Sequence, residues 1–439
     1  MSQIRLITLD PGHFHAALVQ KEMYPEVSPR AHVYAPLGQD LVDHLARVAR
    51  FNTGTRSPTS WELEVHAGPD PLGRLLAEKP GDVVIFSGRN RAKIDGIVAC
   101  LEAGLHVLAD KPWIIRPEDF GRLEAALETA GRHRVVAYDI MTERYEITSI
   151  LQRALVSDPA VFGEIVRGTP EEPGVYMESV HHLLKLVAGV PNLRPAWFFD
   201  IGEQGEALAD AGTHLADLAQ WTLFPDRAPG WRADLRLTAA QRWPTVLTAA
   251  EFSRATGEKA FPDSLQPWVK DGRLDYFCNT RVCYSLGGVV VKLDVLWRYE
   301  AAQGGGDTHL AVYRGTRSRV EVRQQAEERG RPEVYVVPGG SGARGAVRAA
   351  LERRLAVLAP DWPGLEVQDA GERFRIAIPD RYRVGHEAHF AQVARQFFAY
   401  VREPASLPAW ENPAMLAKYA LTTGGVALSR GEAALGGGL

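Results

Sequence analysis

Apolar and polar positions follow two rhythms through the first 140 residues. Short apolar or β-branched runs alternate with longer stretches of helical period. Ile4–Asp10, Ala31–Ala35 and Gly81–Ser87 read as strands, and so does the run Leu105–Leu108 that ends at Lys111. Their nearly continuous apolar character suits strands buried on both faces. Trp61–Val65 alternates and is a further strand candidate, as is Arg134–Tyr138. Between them, His13–Met23, Gln39–Val48, Lys93–Ala103 and Pro117–Ala130 have helical patterns, with Gly104 as a stop signal. Strands separated by helices predict a doubly wound parallel sheet, and about 140 residues is the size of one nucleotide-binding domain.

The rhythm changes after Tyr138. A helix is expected through Ala154, then a strand over Gly163–Arg167. His181-His182 open an apolar run that reads as helical. Arg281–Leu286, Val289–Tyr299, His309–Tyr313 and Arg319–Val322 follow as strands joined by turns, Gly287-Gly288 among them. Helices over His386–Val401 and Pro413–Arg430 close the pattern. The fold class is therefore α/β. A Rossmann-like parallel domain over residues 1–140 precedes an α/β domain over 141–439 that carries an open, mainly antiparallel sheet. Residues 225–275 and 327–380 read as insertions.

Composition narrows the class. Of 439 residues, 46% are hydrophobic and 24% charged, as in an ordinary soluble globular protein. The net charge of −4 supplies no basic field for nucleic acid or acidic lipid. Three cysteines, Cys100, Cys278 and Cys283, are too few for a disulfide framework and match no zinc spacing, which predicts reduced thiols and a cytoplasmic protein. No leader or membrane-spanning run is evident.

Two constellations carry chemistry. Lys111 stands between a strand end and Pro112, at the edge of a sheet where open α/β folds bind ligands. Farther on, Asp210, His214, Asp217 and Trp221 share one stripe if the segment is helical, and Asp210 can orient the imidazole of His214. The first turn, Asp10-Pro11-Gly12-His13-Phe14-His15, keeps only the middle glycine of a dinucleotide fingerprint. No acidic residue ends the second strand, and Asp40 comes a few residues late, so NAD and NADP both remain open.

These motifs, in this order, resemble the glucose–fructose oxidoreductase / inositol dehydrogenase / rhizopine-catabolism family. The family's Glu-Lys-Pro becomes Asp110-Lys111-Pro112, in the context Ala103-Gly104-Leu105-His106-Val107-Leu108. Its Asp-x-x-x-His becomes Asp210 to His214, and Arg144-Tyr145 matches its Arg-aromatic pair. Glu78-Lys79-Pro80 spells the tripeptide literally but precedes the wrong strand. The resemblance implies an NAD- or NADP-dependent oxidoreductase, NAD slightly favoured, that moves a hydride from a secondary alcohol of a sugar, polyol or glycoside. It implies Lys111, Asp210 and His214 as catalytic residues and no metal. Cofactor contacts would come from Asp10, Pro11, Gly12, His13, Phe14, His15, Ser87, Gly88, Arg89, Asn90, Asp110 and Lys111. Substrate contacts would come from Tyr138, Arg144, His181 and His182. It also implies a homo-oligomer, a dimer or a tetramer. Two alternatives share the same residues: a redox-neutral glycosidase or lyase that oxidises a ring carbon only transiently, and an inactive sugar- or NAD-binding regulator.

Overall fold

The computed structural model describes residues 3–55, 57–187, 190–191, 193–302 and 305–432. The chain forms two compact units. The first joins residues 1–145 to 385–412, and the second joins 146–384 to the segment from 413 onward.

The first unit is built on β1 (Ile4–Leu9), β2 (Val27–Ala35), β3 (Glu62–Ala67), β4 (Val83–Phe86), β5 (His106–Asp110) and β6 (Ala137–Ile140). All pair in parallel, in the order β3-β2-β1-β4-β5-β6. This is the dinucleotide-fold order, with its switch point between β1 and β4. The helices are α1 (His15–Leu18), α2 (Gln39–Asn52), α3 (Pro71–Glu78), α4 (Lys93–Glu102) and α5 (Phe120–His133).

Two expectations shift here. The helix expected over His13–Met23 stops at Leu18, and just beyond it the Gln20 carbonyl accepts the Trp61 indole N–H at 2.7 Å. The strand expected at Arg134–Tyr138 starts three residues later, because α5 runs to His133 and Arg134 turns left-handed at φ 56°. A further helix, α10 (His386–Arg402), returns to this unit and buries Phe390, Phe397 and Phe398 among Leu6, Ile85 and Tyr138.

In the second unit, α6 (Ile147–Val156) leads to β7 (Val175–Leu184), the two-residue pair β8 (Leu186–Val187) and β9 (Val190–Pro191), and α7 (Gly212–Leu223). Then come β10 (Leu235–Thr248), α8 (Ala249–Thr256), β11 (Val269–Lys270), β12 (Arg273–Leu286), β13 (Val289–Glu300), β14 (Thr308–Arg314), β15 (Ser318–Gln324) and β16 (Glu333–Pro338). The helix α9 (Arg344–Leu358), β17 (Glu366–Ala370), β18 (Arg373–Ala377) and α11 (Glu411–Ser429) complete the chain. The large sheet runs β10-β12-β13-β7-β14-β15-β16-β18-β17, with β11 beside β12. Only β13–β7 is parallel among these pairs.

The segments read as insertions supply the two ends of this sheet: β10 at one and the β17–β18 hairpin at the other. Gly287 and Gly288 both have positive φ (57° and 83°), as a two-residue hairpin turn demands. The strand expected at Gly163–Arg167 is reduced to one bridge, Ile165 to Gly315. His181 and His182 lie in β7, not in a helix, because a period-two burial pattern starts at Val175 and Met177. No helix among the described residues is long and apolar enough to cross a membrane.

Helices α7 and α11 cover one face of the sheet. Tyr313 donates its hydroxyl to Leu218 O at 3.1 Å, and Gly425 leaves room for Leu208, Val282 and Leu237. Asp217 of α7 meets Lys418 of α11 at 3.2 Å, with both side chains at most 2% exposed. A buried charge left without its partner is costly, whereas a well-packed apolar pair is tolerated. Lys418→Met is therefore expected to lower stability by about 3–5 kcal/mol in urea unfolding. The double variant Asp217→Leu/Lys418→Met should recover most of that loss; a double variant no more stable than the single would contradict the argument.

Candidate active site

In the first unit the loops after β1, β4 and β5 converge. Asp10 adopts φ 44° and donates its amide to Tyr34 O at 2.8 Å, which turns the chain sharply after β1. The amides of Gly12 and His13 both donate to Ser87 O, each at 3.1 Å. Gly88 fits because a Cβ there would lie 2.6 Å from Asp10 O. The turn Asp10–His15 and the segment Ser87–Asn90 thus form one packed surface at the switch point.

Asp110 organises the surface from β5. Its Oδ2 accepts His15 Nδ1–H at 2.9 Å and Ser87 Oγ–H at 3.0 Å, and lies 3.6 Å from His13 Nδ1. Burial alone would raise the Asp110 carboxyl, but the His15 and His13 imidazoles hold it well below the usual carboxylate range. Burial pushes His15 down to about 3, so an ionised Asp110 accepts from a neutral His15. His386 of α10 places its Nε2 3.4 Å from His15 Nε2, and burial lowers it to about 4. Asp10 shifts the other way, raised by burial. Arg89 reaches Asp40 at 2.8 Å, beside the end of β2.

Lys111 follows β5 directly, and its bond to Pro112 is cis. Two neighbours fix the backbone around it. The buried Lys93 ammonium donates to Asp110 O at 2.9 Å and Pro112 O at 3.0 Å, one carbonyl on each side of Lys111. The fully buried Trp113 donates its indole N–H to Ala109 O at 3.2 Å. Sequence reasoning missed Lys93, since a lysine at a helix start reads as solvated; the apolar company of Ile94 and Ile97 was the available signal. Tyr138 and Arg144 are engaged inside this unit. Tyr138 packs on Phe397 and Tyr400, and Arg144 forms a two-pronged pair with Glu411 at 3.0 and 2.9 Å.

The second unit carries the other candidates. Asp210 is buried, but it lies in the turn before α7 and not within the helix, which begins at Gly212. Thr213 donates its hydroxyl to Ala209 O at 2.6 Å and its amide to Asp210 O at 3.3 Å, and His214 donates its amide to Ala211 O at 3.2 Å. These bonds fix the backbone that carries both residues at the helix entry. The stripe expected from the sequence divides: Asp217 belongs to Lys418, and Trp221 lies under Arg153, whose guanidinium carbon is 4.5 Å from the ring centre. His181 and His182 turn their Nδ1 atoms to Asp307, at 3.5 and 3.2 Å, with Lys185 on the same carboxylate. Burial would raise Asp307, but His181 and Lys185 hold it below the usual range. His181 also stacks near Trp297, with ring centres 4.8 Å apart. Arg194, another residue that the sequence did not flag, bridges Leu183 O and His182 O and lies 5.1 Å from the Trp297 ring centre. Burial lowers Arg194, and the nearby charges of Tyr276 and Asp210 oppose that shift.

All three cysteines are buried free thiols, and burial pushes Cys100 and Cys278 up to about 12, which makes these two poor nucleophiles.

Three comparisons bear on this arrangement. Residues 151–430 match the family model described as "Putative oxidoreductase C terminal domain". D-glucoside 3-dehydrogenase of Escherichia coli K12 is 31% identical over 160 residues, 36% of this chain and 40% of that protein, so the chain spans about two fifths of the relative's length. A crystal structure of a putative oxidoreductase from Parabacteroides merdae is 44% identical, with a TM-score of 0.95 over 98% of both chains. Levoglucosan dehydrogenase, solved in complex with NADH and L-sorbose, shares the fold at 13% identity and a TM-score of 0.61, over 99% of this chain and 98% of that one.

Proposed function

We infer that this chain, which belongs to the oxidoreductase family defined by that C-terminal domain, is of the glucose–fructose oxidoreductase / inositol dehydrogenase / rhizopine-catabolism type. From that premise we propose that it oxidises a secondary alcohol of a sugar, polyol or glycoside, or reduces the corresponding ketone, with NAD or NADP as hydride partner. The observation that carries this reading is Lys111, held at the crevice end of β5 by Lys93 on both flanking carbonyls. A side chain carried on a backbone so fixed suits the binding of one substrate oxygen better than general solvation.

The residues fit a dinucleotide. A 3-2-1-4-5-6 parallel sheet offers its crevice at the switch point, where Gly12 and Gly88 keep two loops in close contact. Asp10–His15, Ser87–Asn90, Asp110 and Lys111 would hold the nucleotide. The chemistry that a nicotinamide supplies when bound is hydride transfer. In this proposal Lys111 donates to the reacting oxygen and stabilises its developing negative charge. His214 takes the hydroxyl proton, and Asp210 orients His214 or binds a neighbouring hydroxyl. His181, Arg194 and Trp297 are proposed to contact the sugar: the indole offers an apolar face and the other two offer donors. The relative that acts on D-glucosides and the neighbour solved with L-sorbose support a carbohydrate as substrate.

The test is incubation with NAD or NADP and a panel of free sugars, polyols and aryl glucosides, following absorbance at 340 nm and aglycone release together. Stoichiometric reduced cofactor with a keto-sugar product is the expected result. Aglycone release without net reduced cofactor would replace this reading with a redox-neutral cleavage, and nucleotide binding with neither product would leave a regulator.

A further inference from the structure

Strands β2 and β3 present a second group of chemically capable side chains, which the proposed reaction does not use. The two strands pair in parallel with His32 beside Glu64 and Tyr34 beside His66. Alternation puts Arg30, His32 and Tyr34 on the same face as Glu62, Glu64 and His66. His32 Nδ1 lies 3.4 Å from His66 Nε2 and 3.4 Å from Glu64 Oε2, and donor atoms from the three residues lie within 4.8 Å of one another. We propose that His32, Glu64 and His66 bind a divalent transition-metal ion, zinc by preference, with a coordination position left for water.

The spacing carries the argument. Zinc bound to nitrogen and oxygen at about 2.0–2.2 Å in a tetrahedron keeps neighbouring donor atoms roughly 3.4 Å apart. A 3.4 Å separation is long for an N–H···N hydrogen bond between imidazoles. The ring centres stand 5.6 Å apart with planes 27° apart, so the two nitrogens approach each other more closely than the rings do.

Two of the three ligands also have orienting partners. Glu78 Oε2 faces His66 Nδ1 at 3.6 Å and accepts the Tyr34 hydroxyl at 2.5 Å. That favours the His66 tautomer with its proton on Nδ1 and its lone pair toward His32, the outer-carboxylate pattern of zinc-binding histidines. Tyr34 stacks on His66 with centres 4.2 Å apart and planes 6° apart, which fixes the ring. Arg30 holds the other oxygen of Glu64 at 3.3 Å and leaves Oε2 turned inward. Two imidazoles and one carboxylate suit zinc, and they are too few and too nitrogen-rich for calcium or magnesium. An ion here would pin β3, the edge strand, to β2.

The experiment uses the full chain, stripped with a chelator and titrated with Zn²⁺ at pH 7.5 against a chromophoric competitor. One equivalent is expected to bind with a dissociation constant on the order of a micromolar or tighter. His32→Gln and His66→Gln should each abolish that equivalent, and Glu78→Gln should weaken it about 10-fold. Glu64→Gln, at an exposed carboxylate, tests the site without threatening the fold, and circular dichroism in chelator checks every variant. His13→Gln is the control, because His13, His15 and Asp110 form the other group of potential ligands. Two results would overturn the proposal: no saturable binding below about 100 µM, or an equivalent that survives His66→Gln and disappears with His13→Gln.

Discussion

Replacing His214 by alanine is expected to lower kcat for sugar oxidation by about 10²–10⁴, the usual contribution of a positioned general base. Lys111→Ala should cost about 10²–10³, as for one lost donor to a developing oxyanion. The argument rests on different supports for the two residues. His214 sits at the entry of α7, where the Thr213 hydroxyl and amide fix the preceding turn. Lys111 is a single side chain on a backbone held by Lys93 and Trp113, so alanine there removes the ammonium and leaves its supports. Both groups are proposed to serve one oxygen. The double variant should therefore fall little below the worse single variant, because groups that act as a unit are strongly non-additive. Steady-state reduction of NAD or NADP at 340 nm measures all three, and nucleotide titration by fluorescence checks that cofactor affinity stays within a few-fold. Single variants that keep more than about a tenth of wild-type kcat would remove these residues from the chemistry.

Much of the first unit was legible because buried parallel strands announce themselves as apolar runs. Val83–Phe86 and His106–Asp110 fall where the pattern placed them. The failures have local causes that pattern cannot carry. The helix after Gly12 ends early, and the chain just beyond it is held by a long-range bond, from the Trp61 indole to the Gln20 carbonyl, that no local pattern encodes. Asp210 and Asp217 have helical spacing, yet one precedes α7 and the other faces Lys418, 201 positions away. The segments 225–275 and 327–380 read as insertions because their strands are short, polar or separated by helices. They are the sheet's two ends, where one face and an edge meet water and apolar content is low. At the candidate site, Asp110 and Lys111 were legible as a motif. The roles of Lys93 and Arg194 were not, since each acts through backbone carbonyls distant in sequence.

The first unit is expected to lose stability with acid well above the range where carboxylates titrate. Burial lowers His15 to about 3, and it lowers His44, His386 and His389 to about 4. In the unfolded chain each returns to about 6.5. Between about pH 4 and 6.5 the unfolded chain therefore holds protons that the folded chain refuses, and stability rises with pH. The contribution is complete above about pH 6.5 and is lost as the pH falls toward 4. Four such groups give a slope of up to about 5.5 kcal/mol per pH unit, at about 1.4 kcal/mol each. Asp110 acts in a separate window. Its folded value lies below the ordinary one, so its contribution is full above about pH 4 and disappears only below that. Urea midpoints at pH 7.5, 6.5, 5.5 and 4.5 distinguish the two: a fall starting near pH 6 is the histidine signature, and one starting near pH 4 belongs to carboxylates. His44→Gln should reduce the slope by about one proton's worth, since His44 is buried with its Nε2 lacking a hydrogen-bond partner. A midpoint unchanged from pH 7.5 to 5 would mean that these imidazoles accept protons without unfolding.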